Sequence, residues 1–154
     1  MEQAGHLVVA GFPLALDRRY HVGTHMWVLL SEPGQARIGM DPLGIETSGT
    51  LAELSFVPVG TELIAGRPFG QLEAAKFVGP LVSPVSGIVL AVNDAAAIDA
   101  ALTVRDPYGA GWLIEVSLSD AAGELPALLA DPDEITTWFA AKIADYRRMG
   151  VIAQ

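Results

Sequence analysis

The 154-residue chain is 51% apolar and carries a formal net charge of −9, enough for one domain with a substantial core and too little for two comfortable ones. The acidic balance excludes a nucleic-acid surface, which needs clustered Lys and Arg against phosphate, and suits docking on basic surfaces of partner proteins. Cysteine is absent, which removes disulfides, thiolate metal sites and cysteine nucleophiles together, so any sulfur chemistry has to come from an attached group.

Taken from the N-terminus, the apolar run at residues 7–10 is too short for the core of a signal peptide. No later stretch approaches the roughly 18 uninterrupted apolar residues of a membrane span. A soluble, cytoplasmic protein without membrane contact is expected, as a single domain over residues 1–154 with its core at about 20–120. His21 and His25 have a metal-like separation, but no Glu or third His accompanies them and no metal site is expected. Residues 26–30 and 36–40 flank Glu32-Pro33-Gly34 and read as a hairpin. Residues 47–53 read as a short turn of helix, overlapping the start of the next apolar run.

Gly and Pro then recur every few residues, which is short-strand punctuation. Strands are expected at 51–57, 62–64, 69–73, 79–82, 87–92 and 112–118. The segments 59–64 and 85–90 each place a glycine turn, Gly60 and Gly87, ahead of a rising apolar strand. They suggest two half-motifs folded against each other. Ser83 and Ser86 have no His or Asp beside them and read as turn residues. Asp106-Pro107-Tyr108-Gly109 reads as a tight turn into the last strand. The C-terminus reads as a helix over about 132–149: Asp131 is a good N-cap, Pro132 fits the first helical position, and Gly150 is the stop. Ile135, Trp138, Phe139, Lys142 and Tyr146 fall at helical spacing, an apolar stripe expected to dock on the strands.

Lysine occurs only at positions 76 and 142. Lys76 lies between two short strands, with Ala74 and Ala75 before it and Gly79-Pro80 after it, so a protruding hairpin tip is expected. Glu73, three residues earlier, could serve a modifying enzyme as a handle. The tip geometry by itself fits an ordinary solvated turn lysine as well as an attachment site.

Seven pieces, in order, carry a resemblance over about residues 20–120. They are His25-Met26-Trp27-Val28, Ala36-Arg37-Ile38-Gly39, Pro58-Val59-Gly60-Thr61-Glu62, Phe69-Gly70-Gln71-Leu72-Glu73-Ala74-Ala75-Lys76, Ser83-Pro84-Val85-Ser86-Gly87, Asn93, and Asp106-Pro107-Tyr108-Gly109-Ala110-Gly111-Trp112-Leu113. Together they resemble the H-protein family of the glycine cleavage system, and more distantly the lipoyl and biotinyl carrier domains. Gly60 stands sixteen residues before Lys76 and Gly87 eleven after it, spacings similar to those of lipoyl domains. Biotin is set aside because methionine flanks Lys76 on neither side. The sequence departs from the family at Met40-Asp41-Pro42-Leu43-Gly44, where the family has a helix, at Ser48-Gly49-Thr50-Leu51, and at Ala74-Ala75 and Phe77 around the lysine.

The resemblance implies an all-β fold, a flattened barrel and sandwich hybrid with a lipoyl-domain-like hairpin pair, short helices and a C-terminal helix. It also implies lipoate on Lys76, Glu73 in recognition by a lipoate ligase or lipoyl transferase, Gly60 and Gly87 as structural turns, and no catalytic or metal residue. The arm would visit glycine decarboxylase, aminomethyltransferase and dihydrolipoyl dehydrogenase, and rest in a groove lined from the region 51–62. Two alternatives stay open: a carrier in heterodisulfide-reductase-like sulfur oxidation, to which the Lys76-Phe77-Val78-Gly79 run and the added helix look closer, and an unmodified scaffold.

Overall fold

The computed structural model describes residues 6–153. Eleven strands, β1 (His6–Val9), β2 (Phe12–Ala15), β3 (Arg19–His21), β4 (Met26–Glu32), β5 (Gln35–Met40), β6 (Leu51–Phe56), β7 (Glu62–Leu63), β8 (Pro68–Ala74), β9 (Val78–Val82), β10 (Gly87–Val92) and β11 (Ile114–Leu118), supply the framework. Helices α1 (Pro42–Ser48), α2 (Asp94–Ile98), α3 (Ala101–Arg105) and α4 (Ala121–Glu124) are short, and α5 (Pro132–Arg148) is the long C-terminal helix. The strands form antiparallel sheets in the orders β1-β2, β3-β4-β5-β11-β10-β7 and β6-β8-β9. The expected all-β fold with short helices and a terminal helix is found, as layered open sheets rather than a closed barrel among the described residues.

Alternation explains how the sheets face each other. Leu54, Phe69, Leu72 and Leu81 point inward from the three-stranded sheet and meet Val28, Ile38, Val89, Ile114 and Val116 from the larger one, all buried. Each such side chain contributes about 1.5–3 kcal/mol on burial. A second cluster lies under α5, where Ile135, Phe139 and Ile143 pack on Leu14, Tyr20, Trp27 and Leu43. The stripe expected on this helix is shifted: Ile143 fills the inner face, while Lys142 lies outside the buried core with its ammonium over the Tyr146 ring. The start is as read, with the Asp131 carboxylate accepting from the Glu134 amide at 3.0 Å.

The two glycine-led segments do fold against each other. β7 pairs with β10 through Gly87 opposite Leu63 and Ile88 opposite Glu62, and the Gly60 amide donates to the Val89 carbonyl at 2.8 Å. Gly60 is a true turn, at φ +93°, where L side chains are strained. Gly87 differs from the expected turn. It is the first residue of β10, and glycine is required there because a Cβ would fall on the Ser117 carbonyl oxygen of β11.

The first short helix lies earlier than expected. It spans Pro42–Ser48, and residues 51–56 are strand throughout. Asp41 explains the difference: its carboxylate accepts from the Gly44 amide at 2.9 Å and caps the helix. Pro42 is tolerated in the first turn, where no amide donor is needed. Gly49, at φ +84° and ψ −161°, ends it in a conformation open essentially to glycine alone. Thus Asp41-Pro42-Leu43-Gly44, a departure in sequence, still builds a helix.

Candidate functional site: the Lys76 hairpin and its flanking clefts

β8 and β9 pair through Glu73 opposite Val78 and Leu72 opposite Gly79, leaving Ala75, Lys76 and Phe77 as the tip. Within it, the Ala74 amide donates to the Phe77 carbonyl at 2.9 Å. Two bonds come from outside the hairpin. The Ala75 amide donates to the Thr50 carbonyl at 2.9 Å, and the Lys76 amide to the Ser48 carbonyl at the end of α1 at 3.0 Å. The backbone of the lysine is therefore pinned, while its side chain is exposed. Among the described residues the Lys76 ammonium has no ion pair or side-chain hydrogen bond.

The neighbours of Lys76 divide by strand parity. Glu73 is exposed beside the tip and stands opposite Glu53 of β6, a like-charge pair that costs stability across strands. Ala75 is exposed, but Ala74 turns inward and joins the core, so only one of the two alanines opens space around the lysine. Phe77, 48% exposed, folds back with its ring over Gly79, where a Cβ would approach to 2.6 Å.

Two clefts meet at Lys76. The first, about 400 Å³, is lined by Thr24 and His25 of the β3–β4 turn, Met26 at the start of β4, Thr47 and Ser48 of α1, and Leu72, Phe77 and Pro80 of the hairpin, among others. The second, about 480 Å³, lies across α1 and is lined by Ile45, Glu46, Gly49, Leu51, Val104 and Arg105 among others. Of the region 51–62 expected to line a groove, only Leu51 reaches either cleft. Strand geometry is the reason: β6 runs away from the tip along β8, with Leu54 buried between the sheets and Phe56 opposite Gly70 at the far end.

Behind the first cleft lies a polar chain that the sequence pattern does not disclose. His25 adopts a left-handed conformation, φ +60°, held by its amide on the His21 carbonyl at 3.1 Å and by its carbonyl, which accepts from the Asp41 amide at 2.8 Å. The His25 ring joins Asp41 Oδ2 through Nδ1 and the Tyr146 hydroxyl through Nε2, each at 2.9 Å. Asp41 is fully buried, and burial raises the Tyr146 hydroxyl above its ordinary pKa. The chain ties α5 to the cap of α1, and α1 to the Lys76 amide. Asp followed by Pro is a helix-start signal that could have located α1.

The other residues singled out in sequence have structural employment. His21 Nδ1 bonds the Thr24 hydroxyl at 2.9 Å, and burial lowers the His21 pKa. Ser83 bonds the Val85 backbone, and Glu124 takes both the Ser86 amide and hydroxyl at 2.7 Å. The Asp106 carbonyl accepts from the Gly109 amide at 3.4 Å, closing the expected turn, and also from the Gly111 amide at 2.8 Å. No helix among the described residues is long and apolar enough to cross a membrane.

The profile of the family described as glycine cleavage H-protein matches residues 19–140. The chain belongs to that family. Curated H-family relatives include the "Glycine cleavage system H protein" of Mycobacterium leprae (strain Br4923), 38% identical over 72% of this chain and 83% of the relative. The protein of that name from Corynebacterium jeikeium (strain K411) is 41% identical over 66% and 81% of the two chains. The crystal structure of a glycine cleavage system H protein from Mycobacterium marinum superposes with a TM-score of 0.70 at 34% identity, covering 80% of this chain and 97% of that one. The H-family match spans both halves of the Lys76 hairpin, the β3–β4 turn, α1 and part of α5.

Proposed function

We propose that this H-family chain is a lipoyl carrier of the glycine cleavage system, with lipoate in amide linkage to Lys76 and no catalysis of its own. The observation that carries the reading is an exposed lysine, without an ion-pair partner among the described residues, whose backbone is pinned at a hairpin tip, in a chain of this family. The surroundings fit the group. The tip protrudes for a ligase or lipoyl transferase, Glu73 stands beside it as a recognition handle, and apolar clefts flank it.

Bound lipoate would supply a disulfide that opens to two thiols, taking up an aminomethyl group and electrons and handing them on by exchange. The chain's own residues do the rest. The Ser48 and Thr50 carbonyls fix where the arm begins, so the freedom of the side chain is spent on reach rather than on backbone drift. Tethering keeps the arm at high effective concentration near successive active sites. The acidic surface suits basic docking faces on glycine decarboxylase, aminomethyltransferase and dihydrolipoyl dehydrogenase.

Intact mass of protein made in a lipoate-supplied host tests the attachment: a lipoyl increment is expected, absent in Lys76→Arg. An unmodified wild type with a competent ligase present overturns the reading. The lipoylated chain is further expected to support glycine decarboxylation exchange. No exchange with an otherwise active decarboxylase would move the assignment to a sulfur carrier on the same arm.

A further inference from the structure

α1 is a partition with a cleft on each side, and Lys76 stands at its end. Gly44, Thr47 and Ser48 face the first cleft, while Ile45, Glu46 and Gly49 face the second, as the helical period dictates. Lys76 lines both. Its backbone is fixed by the Ser48 carbonyl, so the choice between clefts is a rotation of the side chain alone.

The second cleft has the character of a small-molecule seat. Its 480 Å³ lies within the roughly 300–1,000 Å³ of such sites, and its wall is largely apolar, from Ile45, Leu51, Ala75, Ala101 and Val104, with Thr50 the uncharged polar residue among them. Val104 is 55% exposed, apolar surface open to water where an occupant would cover it. Besides Lys76 itself, the charged residues of the cleft lining are Arg105 and Glu46, both solvent-exposed. Arg105 is held by Asp99 at 2.9 Å.

We infer that this second cleft, between α1 and α3, is a seat for the acyl arm of Lys76, so that the arm has a resting place on either side of α1. The inference rests on the carrier reading above. An uncharged alkyl chain ending in a dithiolane matches the apolar wall, and its point of attachment is already part of the cleft. The consequence is that a partner docking over the first cleft need not displace the arm into bulk water.

The absence of cysteine allows a direct test. In lipoylated protein, a single cysteine introduced by Val104→Cys can attack one dithiolane sulfur near pH 8.5, where a free thiol is about half ionised. The ring S–S bond breaks, a new S–S bond joins the introduced cysteine to the arm, and the released thiolate displaces iodide from iodoacetamide, forming a thioether before the ring can reclose. Non-reducing Glu-C peptide mapping, with cleavage after Asp as well as Glu, counts the product as the Lys76 peptide joined by a disulfide to the cysteine peptide, which separates it from cysteine alkylated directly, a species of the same intact mass. Ser55→Cys, exposed on the neighbouring sheet and outside both clefts, reports on an arm swinging in solvent. Val104→Cys is expected to be trapped about tenfold faster than Ser55→Cys, through its higher effective concentration, and adding Ala101→Trp to fill the cleft should remove the difference. Equal rates at the two positions, with the lipoyl mass present, overturn the second seat and leave the carrier reading standing. A wild-type chain that never gains the lipoyl mass overturns both.

Discussion

A Cβ on Gly49 would stand 3.0 Å from Lys76 Cγ and 3.3 Å from the Lys76 amide nitrogen, so the residue that ends α1 is also the surface on which the lysine hairpin rests. Gly49→Ala would add that atom and force a side chain into φ +84°. A cost of roughly 1–3 kcal/mol is expected, read as a lower urea midpoint. The tip should also shift, and the extent of lipoylation under limiting ligase should fall below that of wild type although Lys76 is unchanged. Full modification at wild-type rate would show that the tip is held without this contact.

The link from Asp41 to Lys76 predicts an effect at a distance. Asp41→Ala removes the cap of α1 and the partner of His25 Nδ1 together, with an expected loss of roughly 2–3 kcal/mol. Fraying of α1 should release the Ser48 carbonyl, so the Lys76 amide should lose hydrogen-exchange protection more than the Leu72 amide, which belongs to the paired strand. Equal loss at both would mean the helix does not steady the tip. Tyr146→Phe, which deletes only the outer bond to His25, should give the same pattern weakly.

These links show where sequence was informative. The β4–β5 hairpin, β8, β9 and β10 follow from Gly-Pro punctuation around apolar runs, and the C-terminal helix from the caps at Asp131 and Gly150. The β1–β2 hairpin escaped because its tight turn puts Ala10 at φ +49° beside Gly11 at φ +94°, where Asn-Gly is the usual signal. Helices α2 and α3, at five residues each, are too short for a 3.6-residue period to register. Lys76 itself was legible as a lone lysine between strands. Its clefts were not, because their walls converge from the β3–β4 turn, α1 and α3, which are distant in sequence.

Gly87 and Gly60 predict opposite responses to the same change. At Gly87 a Cβ falls on backbone, the Ser117 carbonyl in the paired strand β11, so Gly87→Ala must part β10 from β11 and is expected to cost about 3 kcal/mol or more. At Gly60 nothing lies within 4 Å of the added atom, and the cost is the positive φ alone, about 1 kcal/mol. Thermal or urea unfolding of the two variants should show the gap. Similar losses would indicate that β10 and β11 relax apart cheaply.

His21 supplies a pH dependence whose sign can be fixed. Burial disfavours its charged form and lowers its pKa below 6.5 in the folded chain, while its ring bonds the hydroxyl of Thr24, a residue that lines the first cleft. Between the lowered folded value and 6.5 the unfolded chain binds more protons than the folded one, so stability falls as pH drops through that window and levels off below it. His21→Gln keeps a polar partner for Thr24 and removes the titration. The urea midpoint of wild type minus that of the variant should therefore decrease from neutral pH toward pH of about 5.5. Taking the difference cancels the other histidines, His6 and His25, which both proteins share. A difference that is flat or rises on acidification would show that His21 titrates at or above its ordinary pKa and that the β3–β4 turn is more open to water than its packing indicates.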